Sequence, residues 1–390
     1  MKLSSITKKN TLATLKYGLA MLIANIYRKY GNKVWIVSER ENQARDNGFV
    51  LFKFMRENYP NKPVFYLIDK KSSDYKKVAK YGNVIQFNSW KHYLYYCLAK
   101  IHISAHVNGC CPDGAIGISR RTKHILKFKD VFLPHGVSYG ISEFCLKKYA
   151  KIDLFICSGE PEYRNVLENY GYSKYEVTYT GFPRLDMWHD IEVNQKQIVL
   201  MPTWRLYLAQ DNNTVFQDTT YFKTYQSLIR DVKLSKFLQD NNLKMIFYLH
   251  NEMKKYVNFF QTECSNIEIV YKDDLYDIQE ILKTSALLIT DYSSVHFDFA
   301  YMKKPVIYYQ FDKDEFFVHQ YQKSSFDAEK DGFGPVVYDE ENLVTEIEYS
   351  YENKFQVEQK YYGRMRKFYE IYDEHNCERV YSAIKKLDYH

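Results

Sequence analysis

Short apolar and β-branched runs alternate with helical stretches along this chain, and few folds accommodate that rhythm. Val34–Val37, Val64–Ile68, Val84–Phe87, Ile101–Ala105, Val131–Leu133, Leu154–Cys157 and Val177–Thr180 read as strands. Between the first two, Gly48–Tyr59 reads as a helix with Phe49, Leu51, Phe52, Phe54 and Met55 inward. Strands joined by helical crossovers build a parallel sheet. Gly181-Phe182-Pro183 interrupts the pattern, and Asp186–Gln195 is polar without periodicity. The alternation then restarts. Ile198–Met201, Met245–Leu249, Ile267–Val270, Ala286–Thr290 and Pro305–Tyr309 are expected strands, Tyr221–Gln239 an expected helix, and the tail from Glu340 is helical in character. The expected fold is α/β: two Rossmann-like doubly wound domains, 1–187 and 188–390, facing across a cleft that holds the site.

Composition narrows the classes. A chain of 390 residues with 46% hydrophobic and 17% aromatic residues fills more than one core and is not disordered. Its seven cysteines contain no CxxC pair, so neither a disulfide framework nor a zinc site is expected, and reduced thiols fit the cytosol. No carboxylate cluster has metal-ligand spacing either; Asp312, Asp314 and Glu315 read as a solvated acidic loop. The net charge of +6 is too mild to imply nucleic acid, but its distribution is uneven. No Asp or Glu occurs before Glu39, whereas Lys2, Lys8, Lys9, Lys16, Arg28, Lys29 and Lys33 all do. A second basic cluster is Arg120, Arg121, Lys123, Lys127 and Lys129. The apolar run near Leu12–Tyr27 is broken by Lys16 and is shorter than the roughly 20 residues a spanning helix needs. It reads either as an interfacial anchor or as a core helix of the first domain.

Four expected strands run straight into chemically capable residues. Val131–Leu133 leads to Pro134-His135-Gly136, Ile198–Met201 to Pro202-Thr203-Trp204-Arg205, Met245–Leu249 to His250-Asn251, and Ala286–Thr290 to Asp291-Tyr292-Ser293-Ser294. Ligands of open α/β sheets bind at the carboxyl ends of the strands. A histidine there can act as a general base, an arginine can take phosphate through its planar fork, and serines at a helix start can meet an anion. Each also has a structural alternative: a packed histidine, a salt bridge, a simple N-cap. Walker A and GxGxxG sequences are lacking, which disfavours P-loop kinases and dinucleotide dehydrogenases.

At these residues the sequence resembles the CDP-glycerol glycerophosphotransferase family, which makes teichoic acids and related capsular polymers. The resemblance runs from about Val34 to about Asp339. It is carried by Ile289–Ser294 through Asp298 to Lys304–Tyr309, by His135-Gly136, by Gly181–Asp186, by Pro202–Arg205, and by Ser38-Glu39-Arg40 with Ala44–Gly48. The chain departs from the family pattern at His250-Asn251, where His-Pro is common, and at Pro134, where Trp or Gln is usual.

The resemblance implies a GT-B architecture with an acceptor-side first domain and a second domain that binds the CDP donor. It implies His135 as general base and His250 as its catalytic partner on the donor phosphates. Thr203, Arg205, Asp291, Ser293, Ser294 and Asp298 would bind substrate. The expected donor is CDP-glycerol or CDP-ribitol, with no certain cofactor, and the acceptor a hydroxyl of a lipid-linked envelope polymer. The expected place is the cytoplasmic face of the membrane, held peripherally. Two other functions share the fold: a glycosyltransferase using a nucleotide sugar, and a non-catalytic subunit that binds nucleotide or polymer.

Overall fold

The computed structural model describes residues 3–28, 34–114, 122–210, 215–271, 277–319 and 326–388. The chain divides into two compact units, Met1–Met187 with Asp373–His390, and Trp188–Tyr372. The first holds strands β1 (Trp35–Ser38), β2 (Val64–Ile68), β3 (Val84–Gln86), β4 (Ile101–Ser104), β5 (Lys129–Phe132), β6 (Leu154–Cys157) and β7 (Val177–Tyr179). They form one sheet in the order β3-β2-β1-β4-β5-β6-β7, each pair parallel. The second holds β8 (Asn194–Leu200), β9 (Lys244–Leu249), β10 (Ile267–Tyr271), β11 (Ser285–Thr290), β12 (Val306–Tyr309) and β13 (Val336–Val337), in the order β10-β9-β8-β11-β12-β13, again all parallel. Both units are therefore α/β and doubly wound, with the strand order reversing between β1 and β4 and between β8 and β11.

Burial on both faces explains why the strands read as continuous apolar runs. In β8, Ile198 and Leu200 enter one core with Met245, Phe247, Leu287 and Ile289. Val199 enters the opposite core with Ile246, Tyr248, Leu288 and Val306. Successive side chains of a strand point to opposite faces, so both layers of helices are needed to dry them.

Two expectations are corrected. The helix foreseen over Tyr221–Gln239 is two helices, Thr220–Leu228 and Val232–Asp240. Asp231 caps the second by accepting from the Leu234 N–H at 2.6 Å, and that local bond stops the first from continuing. The last helix, Asn376–Asp388, belongs to the first unit rather than to the domain that precedes it in sequence. The Asp186 carboxylate accepts from the N–H groups of Asn376 and Cys377 at 2.8 Å each and so caps that helix. Gly181, at φ +77°, lies so close that an added Cβ would sit 1.7 Å from Asn376 Oδ1.

The amino-terminal helix Leu3–Arg28 has two faces. Ala13, Tyr17, Ala20 and Ala24 are buried, and the last three share a core with Tyr93 and Tyr96 of helix Trp90–Leu98. Arg28 donates to the carbonyls of Leu98, Ala99 and Leu126. Leu12, Leu15, Leu19, Leu22 and Ile26, three and four residues apart, stay 54–66% exposed. Among the described residues no helix is long and apolar enough to cross a membrane. Lys2, Lys29 and Lys33 lie outside the described residues, as do Arg120 and Arg121 of the second basic cluster. Of that cluster, Lys123 is ion-paired to Asp130 and Asp153 at 2.7 and 2.6 Å. Every cysteine is free and buried.

Candidate functional site

In the first unit, the chain leaves β1 through Glu39 and Arg40. Glu39 is buried, and its carboxylate accepts three backbone N–H groups, of Arg45 at 2.9 Å, Asp46 at 3.1 Å and Phe49 at 2.7 Å. It thereby fixes the start of helix Asn47–Asn58. Burial, helped by the Asp46 charge, pushes its acid up to about 7 against those three bonds. Gly48 packs against it, for an added Cβ would stand 3.0 Å from Glu39 Cγ. Asn47, also buried, joins three segments: its Nδ2 donates to Pro134 O at 2.6 Å, and its Oδ1 accepts from Arg184 N at 3.0 Å. Arg184 itself pairs with Asp46 at 3.0 Å.

This buried scaffold holds the loop bearing His135. Glu162 secures the loop's far side by accepting from Ser138 N and Ser158 N, each at 2.6 Å. His135 is exposed, and its Nδ1 lies 3.4 Å from Ala105 O. A carbonyl only accepts, so that contact puts the ring proton on Nδ1 and leaves the Nε2 lone pair to take a proton. The ring of His106 stands 4.9 Å away, centroid to centroid. Arg40 Nε donates to His106 Nε2 at 3.4 Å. Burial, then the neighbouring His135 and Arg40, lower His106 to about 4, so it is neutral at pH 7.

In the second unit, the residues after β8 and β11 are locked together. Asp291 Oδ1 accepts from Thr203 N at 2.8 Å and Thr203 Oγ1 at 2.6 Å. Its Oδ2 meets Arg205 Nη2 at 2.9 Å. Arg205 is 1% exposed and also binds Asp312 through Nε at 2.9 Å and Nη2 at 3.0 Å, and Thr203 O through Nη1 at 2.6 Å. Asp312 is thus a buried partner of Arg205, not part of a solvated acidic loop. Burial pushes its acid up, and the guanidinium opposes that. With its donors taken by two carboxylates and a carbonyl, Arg205 clamps the ends of β8 and β11 together and points no fork outward.

His250 is exposed and follows β9. Its Nδ1 accepts from Glu252 N at 3.2 Å, which places the ring proton on Nε2, opposite to His135. Its ring stacks on Trp204 at 5.8 Å and 17°. Ser294 begins helix Val295–Tyr301 but its hydroxyl makes no capping bond there. Ser293 is half-buried beside it, and Asp298 lies half-buried on that helix. Lys304, at the end of the same motif, is structural: its ammonium donates to the carbonyls of Leu282, Lys283 and Ser285 and closes the C-terminal end of helix Ile278–Thr284. Thr203, Arg205 and Asp291 are therefore one cluster; His135 and His250 lie on different units. Among the described residues no group of three or more His, Cys, Asp or Glu side chains is placed to hold a metal ion.

Strand-end reasoning missed His106, although it follows β4 as closely as His135 follows β5. It also missed the part played by Glu39 and Asn47, whose only sequence signal was membership of a longer motif.

The model of the family described as CDP-glycerol:poly(glycerophosphate) glycerophosphotransferase matches residues 19–386. The minor teichoic acid biosynthesis protein GgaB of Bacillus subtilis is 33% identical over 394 residues, covering 98% of this chain and 43% of that protein. A teichoic acid poly(glycerol phosphate) polymerase of the same species is 24% identical over 368 residues, covering 89% and 48%. The chain thus spans less than half the length of these curated relatives. A solved structure of the wall teichoic acid polymerase TagF superimposes with TM-score 0.68 at 14% identity, covering 100% of this chain and 98% of that one, and shares the fold.

Proposed function

The chain belongs to the CDP-glycerol:poly(glycerophosphate) glycerophosphotransferase family, and from that we propose that it transfers glycerol phosphate, or a related polyol phosphate, from a CDP-polyol to a hydroxyl of a lipid-linked envelope polymer. His135 Nε2 takes the hydroxyl proton. The oxygen forms a bond to the β-phosphorus of the donor, the bond from that phosphorus to the bridging oxygen breaks, and CMP leaves. His250 donates its Nε2 proton to developing charge on a phosphoryl oxygen, and Ser293 and Ser294 supply further hydroxyl donors. Thr203, Arg205 and Asp291 keep the donor-side strand ends in place.

The observation that carries this reading is the opposed pair of contacts at the two exposed histidines, a carbonyl beside one Nδ1 and a backbone N–H beside the other. A carbonyl beside His135 Nδ1 leaves a base, and a backbone N–H beside His250 Nδ1 leaves a donor. The exposed aliphatic stripe of helix Leu3–Arg28, within a segment lacking acidic residues, supports docking on the anionic surface of the membrane that carries the acceptor.

The test is CMP release from CDP-glycerol and from CDP-ribitol with a synthetic lipid-linked acceptor. His135→Ala is expected to lower acceptor-dependent release by about 10²–10⁴-fold, the usual contribution of a general base. No release by the folded wild-type protein from either donor would reject the reading and turn attention to nucleotide sugars.

A further inference from the structure

The strand order of the first unit reverses between β1 and β4, and such a reversal opens a crevice beyond the carboxyl ends of the strands. Three side chains capable of meeting a phosphorylated alcohol stand there: Arg40 after β1, His106 after β4 and His135 after β5. Of these, His135 alone takes part in the proton transfer. We propose that Arg40, oriented by His106, forms a subsite for the phosphodiester nearest the growing end of the acceptor chain.

Arg40 is exposed, unlike Arg205 and Arg184, which are both buried against carboxylates. Its Nε is engaged by His106, and its two Nη groups make no hydrogen bond or ion pair with the described residues. That leaves the outer edge of the guanidinium, with parallel N–H groups, turned to solvent, the geometry that grips two phosphate oxygens at once. His106 suits the role of positioning residue because it is neutral. It accepts from Arg40 without adding a charge beside His135, so the positive charge sits on Arg40 alone. Arg40 stands on Glu39, whose three backbone bonds leave the strand end little freedom.

The spacing matches the acceptor's chemistry. In a polymer of glycerol phosphate the terminal hydroxyl and the nearest phosphodiester are one glycerol apart. His135 and Arg40 are separated by a single ring, that of His106. A hydroxyl at His135 Nε2 places the phosphodiester toward Arg40. An acceptor without that phosphate gains nothing from the subsite, so the site favours extension of an existing chain. This rests on the transferase reading above.

The experiment compares wild type, Arg40→Gln, Arg40→Lys and His106→Gln on two synthetic lipid acceptors, one ending in glycerol phosphate and one in an uncharged disaccharide, by CMP release at saturating CDP-glycerol. Arg40→Gln is expected to raise KM for the phosphate-ended acceptor at least tenfold, with KM for the uncharged acceptor and for CDP-glycerol within twofold of wild type. Arg40→Lys and His106→Gln fall between, since the first keeps the charge but not the fork and the second keeps the fork but loosens its aim. An equal rise for both acceptors, or a rise in KM for CDP-glycerol instead, overturns the proposal. Calorimetric binding of a short soluble glycerol phosphate oligomer decides it independently of turnover. Binding weakened at least tenfold by Arg40→Gln supports the subsite; equal binding, or none to wild type, overturns it. Wild-type binding without any CMP release would reject the transferase reading while leaving the subsite standing.

Discussion

The two units carry their strands in the same spatial order apart from one further edge strand, β7, in the first, yet they use the polar residues at the reversal point in opposite ways. Beside β8 and β11, the arginine is buried and held by Asp291 and Asp312, so the strand ends are tied by charge. Beside β1 and β4, the buried polar work is done by Glu39 and Asn47 against backbone groups, and Arg40, His106 and His135 are left at the rim. A buried ion pair is costly to break but adds nothing that can react. A scaffold of backbone hydrogen bonds leaves cations and bases free for substrate. At the reversal point, then, the arginine of one unit holds strand ends together and the arginine of the other faces solvent.

The sharpest way to break that contrast is Arg205→Met. It leaves two carboxylates buried without their counter-charge, and an unfolding free energy lower by about 3–5 kcal/mol is expected from chemical denaturation. Arg40→Met, at the equivalent rim of the first unit, should cost under about 0.5 kcal/mol in the same measurement. A similar loss from both would mean that the two rims are alike.

Gly181→Ala should come next. Its φ of +77° and the 1.7 Å approach of the new Cβ to Asn376 Oδ1 force apart the junction that seats the last helix. Asn376 is itself held by Asp186 and Arg379 and has nowhere to go. A loss of about 2–3 kcal/mol is expected, read as a lower Tm.

Individual buried groups should also respond oppositely to pH. Glu39 and Glu162 both have acids raised by burial to about 7, so their stabilising effect is full below the unfolded value of 4.5 and is lost as pH rises through 7. In the second unit, burial lowers His296 to about 3, among Phe297, Tyr308, Phe326 and Phe333. Its effect is present above the unfolded value of 6.5 and fades as pH falls toward 3. Glu39→Gln should therefore flatten the decline in Tm between about pH 5 and 8, by the equivalent of about 1–2 kcal/mol. His296→Phe should raise Tm at about pH 4 more than at about pH 7. Parallel shifts at all pH values would contradict both.

The exposed stripe is a feature of the first unit. Leu15→Glu with Leu22→Glu should reduce cosedimentation with anionic liposomes about tenfold or more, since each buried leucine contributes roughly 1.5–3 kcal/mol. Stability should hardly change, because the face that packs on Tyr93 is the opposite one. Unchanged liposome binding would remove the stripe from the membrane reading.

Much of this was legible in the residues. Parallel strands covered on both faces must be apolar throughout, and β2 and β6 span Val64–Ile68 and Leu154–Cys157 as the apolar runs alone foretell. Chemistry-bearing residues at strand ends stood out because a run apolar enough to be buried breaks off at once into His, Arg, Asp or Ser. The break at Asp231 was harder, since a single capping bond overrides helical periodicity on both sides of it.

The sequence by itself determined the repeated α/β architecture and the places where chemistry gathers, because both follow from patterns only a few residues long. The tertiary structure alone decided what each polar residue does there. Arg205 and Arg40 are the same side chain after the same kind of strand, and only the carboxylates brought from beyond β11 and β12 turn one into a clamp while the other stays open. His135 and His250 look alike in sequence, and only a carbonyl from beyond β4 and a backbone N–H two residues on give their rings opposite protons. Such differences depend on partners distant in the chain or on local backbone direction, and no sequence pattern carries either.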